Sequence, residues 1–189
     1  MFRSKSPLGA VTAVVVVVCS VAATDLEPVD LAGKPQDPLK SNAAATVLLF
    51  VRTDCPITNR YAPELQRLAK EFQTRSVAFW LVYPDPDEAP SHIEEHVRDY
   101  GFPGRPLRDP HHVLVKEAHA TVAPEAAVFN GSGKLVYHGR IDDRYVDIGK
   151  TRPAAQVHDL EDAVNAVLTS KPIVHAQTRA VGCSLADVE

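Results

Sequence analysis

The residue with the clearest capacity for chemistry is Cys55, in the stretch Thr53-Asp54-Cys55-Pro56-Ile57-Thr58. It follows a short apolar run that predicts a buried strand (46–51) and precedes a run with helical periodicity (59–72). A cysteine beside a helix start tends to have a lowered pKa, and its thiolate is the reactive form. We therefore interpret Cys55 as a nucleophile. The alternatives are a small buried core residue or one half of a passive disulfide.

Cys183 is the second cysteine of interest, because the remaining one, Cys19, lies in an apolar leader. Without this leader two cysteines remain, and an even number of cysteines in an exported chain is compatible with a disulfide. Thr58, three residues after Cys55, cannot resolve an oxidised thiol, whereas Cys183 could do so if the tail folds back over Cys55. Only tertiary folding could unite residues so far apart in the sequence. Cys183 is thus a resolving thiol, a structural bridge that pins the tail, or a free thiol.

Two arginines, Arg52 and Arg140, are candidate cations for the same site. A guanidinium beside the Cys55 sulfur would stabilise a thiolate and could polarise a peroxide oxygen. The alternative for both arginines is an ordinary surface charge. Thr58 could donate its hydroxyl to the Cys55 sulfur, or it could stabilise the start of the helix.

The eight histidines do not form a metal-binding pattern. No Cys-x-x-Cys or His-Glu-x-x-His spacing occurs, and we expect most of the histidines to be solvated. A copper site made of Cys55, Cys183 and a histidine would suit soft thiolate ligands, but no spacing selects it. Asp142, Asp143 and Asp147 favour a polar loop over a calcium site. We predict neither a metal nor another cofactor.

The first 23 residues have the pattern of a secretory signal peptide. Basic residues precede an apolar run (8–23) that ends in small residues. This run is shorter than the roughly 20 apolar residues that span a bilayer. We therefore predict cleavage near Ala23 and export to the periplasm or the exterior, without stable membrane insertion. The alternatives are an uncleaved anchor and a lipoprotein attached at Cys19.

The rest of the chain suits one domain with a lead-in segment (24–45), a core domain (46–170) and a tail that carries Cys183 (171–189). The formal net charge is −4 and no basic block occurs, so we do not expect nucleic acid as a partner. The early strand–helix–strand order implies a parallel crossover, and a later hairpin implies an antiparallel edge. We predict an α/β fold, with a mixed central β-sheet flanked by helices on both faces.

Local patterns set the expected bounds of the remaining elements. Ser91 with Glu94 forms a capping box for the second helix, which Gly101 ends. The other predicted elements are a strand at 77–83, a short strand at 105–108, a helix at 111–119, a hairpin at 126–138, a polar surface loop at 139–150 and a last helix that begins at residue 151 or 152.

Four stretches carry a resemblance to a known family: 53–64, Thr121-Val122-Ala123-Pro124-Glu125, 139–143 and Ala180-Val181-Gly182-Cys183. Together they resemble exported redoxin-domain proteins of the alkyl hydroperoxide reductase and thiol-specific antioxidant family. The resemblance implies a thioredoxin-like fold, an exposed thiol at Cys55, and thiol–disulfide or thiol–peroxide chemistry there.

The resemblance also implies a substrate groove formed by Pro56, Ala123 and Pro124. Pro124 would have a cis peptide bond that faces the cysteine, and Ala123 would pair with an extended peptide. The chain departs from related patterns at two positions. Thr58 stands where thioredoxin-type enzymes have a second cysteine, and Arg52 stands where a peroxiredoxin typically has a threonine.

We therefore predict an exported thiol-based oxidoreductase. The Cys55 thiolate would attack a protein disulfide or a hydroperoxide, and Cys183 or an external thiol reductant would resolve the product. One alternative is a redox-inactive thioredoxin-like module that binds or scaffolds a partner. Another is a dedicated peroxiredoxin-like peroxidase.

Overall fold

The computed structural model of the protein describes residue 1 and residues 27–185. Most of the predicted signal peptide, including Cys19, lies outside the described residues. The helices are α1 (Pro56–Arg60), α2 (Ala62–Phe72), α3 (Pro90–Tyr100), α4 (Val113–Ala118) and α5 (Asp159–Leu168). The strands are β1 (Ala45–Phe50), β2 (Val77–Tyr83), β3 (Arg105–Arg108), β4 (Val122–Ala123), β5 (Glu125–Asn130), β6 (Leu135–Gly139), β7 (Tyr145–Asp147), β8 (Lys150–Thr151) and β9 (Cys183–Ser184).

The centre of the fold is a five-stranded mixed sheet with the strand order β3-β2-β1-β5-β6. β1 is parallel to β2, and β2 is parallel to β3. β5 is antiparallel to both β1 and β6. The mixed sheet predicted from the order of elements is confirmed. None of the helices described here is long and apolar enough to cross a membrane.

β1 is the central strand, and all six of its residues are buried. Val47 and Leu49 pack in a cluster with side chains of α2, α3 and α5. Leu48 and Phe50 pack in a second cluster with side chains of α4. Successive side chains of a strand point to opposite faces, so a strand covered on both sides has no polar alternation. The uninterrupted apolar run of this central strand ends just before the loop that carries Cys55.

The start of α3 differs from its predicted position. The helix begins at Pro90 with Ala89 as its extended N-cap, and no side chain caps it, so the capping box predicted at Ser91 is wrong. Proline at the first helical position already has the required φ and lacks an N–H that would be unpaired there. Gly101 ends the helix in the left-handed conformation, as predicted.

The segment 139–158 is better packed than the predicted polar loop. β7 pairs with β8, and two side chains of the segment are buried in the core: Ile141 and Tyr145.

The last helix also begins later than predicted, at Asp159. The Asp143 carboxylate accepts hydrogen bonds from the backbone N–H of Val157 and of the residue before it. These bonds hold that stretch outside the helix.

The end of the chain returns to the sheet, and we call residues 176–185 the strap. Near its start, the N–H of Thr178 donates to the carbonyl of His138 at 3.2 Å. Near its end, β9 pairs antiparallel with β4, with Cys183 opposite Ala123. The strap is therefore attached at both ends to the edge of the domain.

Candidate redox site

Cys55 lies in the loop after β1, immediately before Pro56, the first residue of α1. The peptide bond between Ala123 and Pro124 is cis, as the resemblance implies. Cys55 Sγ donates a hydrogen bond to the carbonyl oxygen of Ala123 at 3.1 Å. Pro56 is exposed, whereas Ala123 and Pro124 are buried. The cysteine loop and the proline loop are thus in direct contact.

Cys183 lies beside this contact because its strand pairs with the proline loop. The register that places Cys183 opposite Ala123 brings its side chain close enough to interact with the Cys55 thiol. Both thiols are free. The tail is folded back over Cys55, as a resolving or bridging role of Cys183 requires. A backbone ladder, and not a local spacing, joins the two cysteines.

The pKa values of the two thiols are shifted in opposite directions. Burial alone would raise the pKa of Cys55, because a charged sulfur loses its solvation. Hydrogen bonds from the Cys183 side chain and from Thr58 outweigh this effect, so the pKa of Cys55 is lowered. Burial and the hydrogen bond to Cys55 raise the pKa of Cys183 to about 12. Cys55 is therefore the thiol that becomes a thiolate, and Cys183 is its protonated neighbour.

The Cys55 thiol is buried, so the expected exposure at the end of the strand is wrong. Its relative exposure is 0%. The strap is the cover: Gly182 packs so closely on the Ala123 carbonyl that a Cβ at this position would overlap with it. Leu185, which is also buried, anchors the end of the strap in the apolar cluster beside α4. A strand end can be covered by a distant segment that local patterns do not reveal.

The groove expected to bind an extended peptide is occupied by the chain itself. Val122 and Ala123 pair with Ser184 and Cys183. The backbone edge of Ala123 is therefore already used by the strap. The expected pairing with an external peptide would require the strap to leave.

Within the described residues, no interaction joins Arg140 to the Cys55 sulfur. Its Nε donates to Asp159 at 2.7 Å, and its backbone N–H donates to Thr178 Oγ1 at 3.1 Å. Arg140 therefore joins α5 to the strap. The structure gives no support to its predicted role as a cation beside Cys55.

Arg52 is a cation close enough to the redox pair to interact electrostatically with Cys183. Its guanidinium pairs with Asp54 at 2.8 Å and donates to the carbonyl of Ser184 at 2.9 Å. Its charge favours the thiolate of Cys183, although burial keeps the pKa of that thiol high. Sequence patterns identified Arg52 as a candidate cation for the site but gave no reason to expect it at the strap.

A buried hydrogen-bond chain that supports the Cys55 loop was missed by the sequence analysis. Tyr83 Oη donates to His96 Nδ1 at 2.9 Å, and His96 Nε2 donates to Asn59 Oδ1 at 2.7 Å. Burial lowers the pKa of His96, in agreement with a neutral ring in this position. Asn59 in turn donates to the carbonyl of Thr53 at 3.4 Å. His96 lies three residues after the buried Ile93, and that helical spacing was the available signal.

Glu125 is a second supporting residue whose role the sequence did not reveal. Its buried carboxylate accepts hydrogen bonds from the N–H of Thr121 at 2.8 Å and of Val122 at 3.3 Å. The other carboxylate oxygen lies 3.6 Å from Nδ1 of His138. Glu125 therefore fixes the backbone that leads into Ala123.

Within residues 27–185, Glu64, Asp142 and His158 have ligand-type atoms within 4.8 Å of one another. Asp142 accepts a hydrogen bond from Tyr61 Oη at 2.6 Å, and Glu64 pairs with Arg67. These carboxylates have partners in the protein, and the group gives no reason to assign a metal. The expectation that no metal or other cofactor is bound stays a prediction.

We expect Thr58→Val to raise the pKa of Cys55 without loss of stability. The Thr58 hydroxyl is buried and lacks a hydrogen bond of ordinary geometry among the described residues, but it contributes to lowering the pKa of Cys55. Removing a poorly paired hydroxyl also removes the cost of its desolvation. Thiolate absorbance against pH in a Cys183→Ser background tests this expectation, with urea unfolding alongside. Thr58→Ser is the control, and an unchanged pKa in Thr58→Val would contradict the assignment.

A model of the AhpC/TSA family matches residues 21–138 of the chain. No curated protein matches it. Similar solved structures include the hypothetical protein SMc02350 from Sinorhizobium meliloti 1021 (TM-score 0.70, 24% identity, covering 83% of this chain and 87% of that one). Another is an uncharacterized conserved protein from Geobacillus kaustophilus (TM-score 0.68, 25% identity, 85% and 88% covered).

A secreted disulfide oxidoreductase from Mycobacterium tuberculosis is also similar, with a TM-score of 0.51 and 18% identity over 75% of this chain and 92% of that one. At such identities these likenesses concern the fold. The thioredoxin-like fold implied by the resemblance is confirmed.

Proposed function

This chain belongs to the AhpC/TSA family, and on that premise we propose that it is an exported thiol oxidoreductase that cycles between a Cys55–Cys183 dithiol and a disulfide. The family supports thiol oxidoreductase chemistry in general. The observation that carries the proposal is the contact between the two thiols, one with a lowered and one with a raised pKa. Thr58, Arg52 and the groove residues support Cys55 or the strap and do not exchange electrons.

In the first step, the Cys55 thiolate attacks the terminal oxygen of a hydroperoxide. The S–O bond forms, the O–O bond breaks, and the alkoxide leaves as an alcohol after taking a proton. Cys183 then attacks the sulfur of the Cys55 sulfenic acid, so that the S–S bond forms and water leaves. With a disulfide substrate, Cys55 forms a mixed disulfide, and the attack by Cys183 releases the second substrate thiol.

An external thiol reductant closes the cycle. Two equivalents of that thiol reduce the Cys55–Cys183 disulfide and leave as their own disulfide. The proposal therefore requires two classes of partner, an oxidant and a thiol. It requires neither a nucleic acid nor a bound cofactor.

The test is mass spectrometry of the full chain before and after one equivalent of hydrogen peroxide. We expect the mass to fall by two hydrogen atoms and a proteolytic peptide pair to link Cys55 with Cys183. The Cys183→Ser variant should instead stop at a Cys55 sulfenic acid that dimedone traps. An oxidant-treated chain with both thiols still free would support the alternative of a redox-inactive binding module.

The exported location rests on the leader, residues 1–23, and is tested separately. Mass determination of the protein recovered from its native cells should show a chain that lacks these residues. Retention of the leader would favour the uncleaved anchor over export by cleavage.

A further inference from the structure

The strap is fixed to the proline loop by backbone hydrogen bonds, a cation and an apolar anchor. The N–H of Leu185 donates to the carbonyl of Thr121 at 3.0 Å. Arg52 donates to the carbonyl of Ser184 at 2.9 Å. The Leu185 side chain is only 2% exposed. These contacts come in addition to the strand ladder, so the end of the strap leaves only if all of them break together.

The fit of the strap depends on two glycines. At Gly182 a Cβ would overlap with the Ala123 carbonyl, and at Gly139 a Cβ would overlap with Thr178. One glycine lies in the strap and the other in β6, and each allows close backbone approach at one end of it. Gly139 in β6 and Gly182 in the strap therefore both provide the space that the strap needs to pack against the domain.

The strap affects access to Cys55 differently for small oxidants and for extended protein disulfides. Cys183 is partly exposed and its side chain interacts with that of Cys55, so we expect a small molecule to reach the Cys55 sulfur beside Cys183 without displacing the strap. An extended protein segment that pairs with Ala123 needs the backbone edge that the strap holds. It must displace the ladder, the Arg52 contact and the Leu185 anchor before its disulfide can reach the sulfur.

We propose that the strap makes the site selective for small hydroperoxides and excludes extended protein disulfides. The proposal rests on the proposed function and names its substrate class. In this assignment Gly182 and Leu185 determine specificity without touching the reacting atoms. The redox step is a peroxide reduction, in which Cys55 is oxidised to a sulfenic acid, the peroxide is reduced to an alcohol, and water forms when Cys183 closes the disulfide.

A matched pair of variants, both without residues 1–23 and with Cys55 as their single cysteine, tests this selectivity. One is Cys183→Ser, which keeps the strap, and the other is the chain ended at residue 175, which lacks it. Both react with hydrogen peroxide and with an extended peptide whose central cysteine carries thionitrobenzoate. The ratio of the peptide rate to the peroxide rate cancels changes in Cys55 nucleophilicity. We expect this ratio to rise at least about tenfold when the strap is removed.

A point variant covers the case in which the shortened chain does not fold. Gly182→Ala in the Cys183→Ser background should raise the same ratio. Gly131→Ala is its control, because a Cβ there makes an ordinary contact of 3.4 Å with the Ala43 carbonyl. An unchanged ratio in Gly182→Ala would overturn the selectivity. A Cys183→Ser chain that reacts with neither oxidant would instead overturn the proposed function.

Discussion

Replacement of Cys55 by serine is expected to lower the rate of hydroperoxide and disulfide reduction by about 10³-fold or more. A hydroxyl at this position could still donate to the Ala123 carbonyl, as the thiol does at 3.1 Å, so the loop should keep its shape. The loss would therefore report the missing thiolate and not a disrupted fold. The measurement is the consumption of hydrogen peroxide and of a small disulfide with excess thiol reductant.

Cys183→Ser is the informative control for this result. It leaves the nucleophile in place, so the first oxidation of Cys55 should still occur and only disulfide closure should be lost. Equal rates for the wild type and Cys55→Ser with both oxidants would refute redox catalysis at this site. In that case, partner binding at the same surface would be the alternative function to pursue.

Glu125→Ala is expected to lower the free energy of unfolding by about 3 kcal/mol. The substitution leaves the partly buried N–H groups of Thr121 and Val122 without their carboxylate acceptor, and a hydrogen bond to a charged group contributes about 1.5–3 kcal/mol. Urea unfolding followed by the fluorescence of Trp80, the single tryptophan, measures the change.

The same variant should also close the Cys55–Cys183 disulfide more slowly, because Ala123 holds both the Cys55 thiol and the Cys183 strand. Glu125→Gln, which keeps one carbonyl oxygen as an acceptor, should lose less stability and close the disulfide faster than Glu125→Ala. A Glu125→Ala chain as stable as the wild type would show that this carboxylate does not hold the loop.

The redox pair differs from a Cys-x-x-Cys motif in how its geometry is maintained. In such a motif, a single helical turn sets the distance between the thiols. Here Cys55 is fixed by the end of β1, and Cys183 is fixed by a two-residue strand at the other end of the chain. The proximity of the two sulfurs therefore depends on the strap contacts as much as on either cysteine.

The architecture could be predicted because its signals are local. The apolar run of β1 identified a strand buried on both faces, and the order of elements indicated the mixed sheet. The hairpin of β5 and β6 could be predicted equally well, since turn residues separate two apolar runs. Helix starts were predicted less well, because Pro90 and the Asp143 carboxylate decided them through backbone constraints.

The sequence by itself determined where the nucleophile lies, since strand, loop and helix around Cys55 are set by neighbouring residues. Only the tertiary structure decided that Cys183 is its neighbour, that the thiol is buried, and that Arg52, rather than Arg140, binds the strap next to Cys183. These three features depend on a backbone ladder between β4 and β9 and on the space left by Gly182. Such pairings join distant parts of the chain and leave no periodic signal in either part.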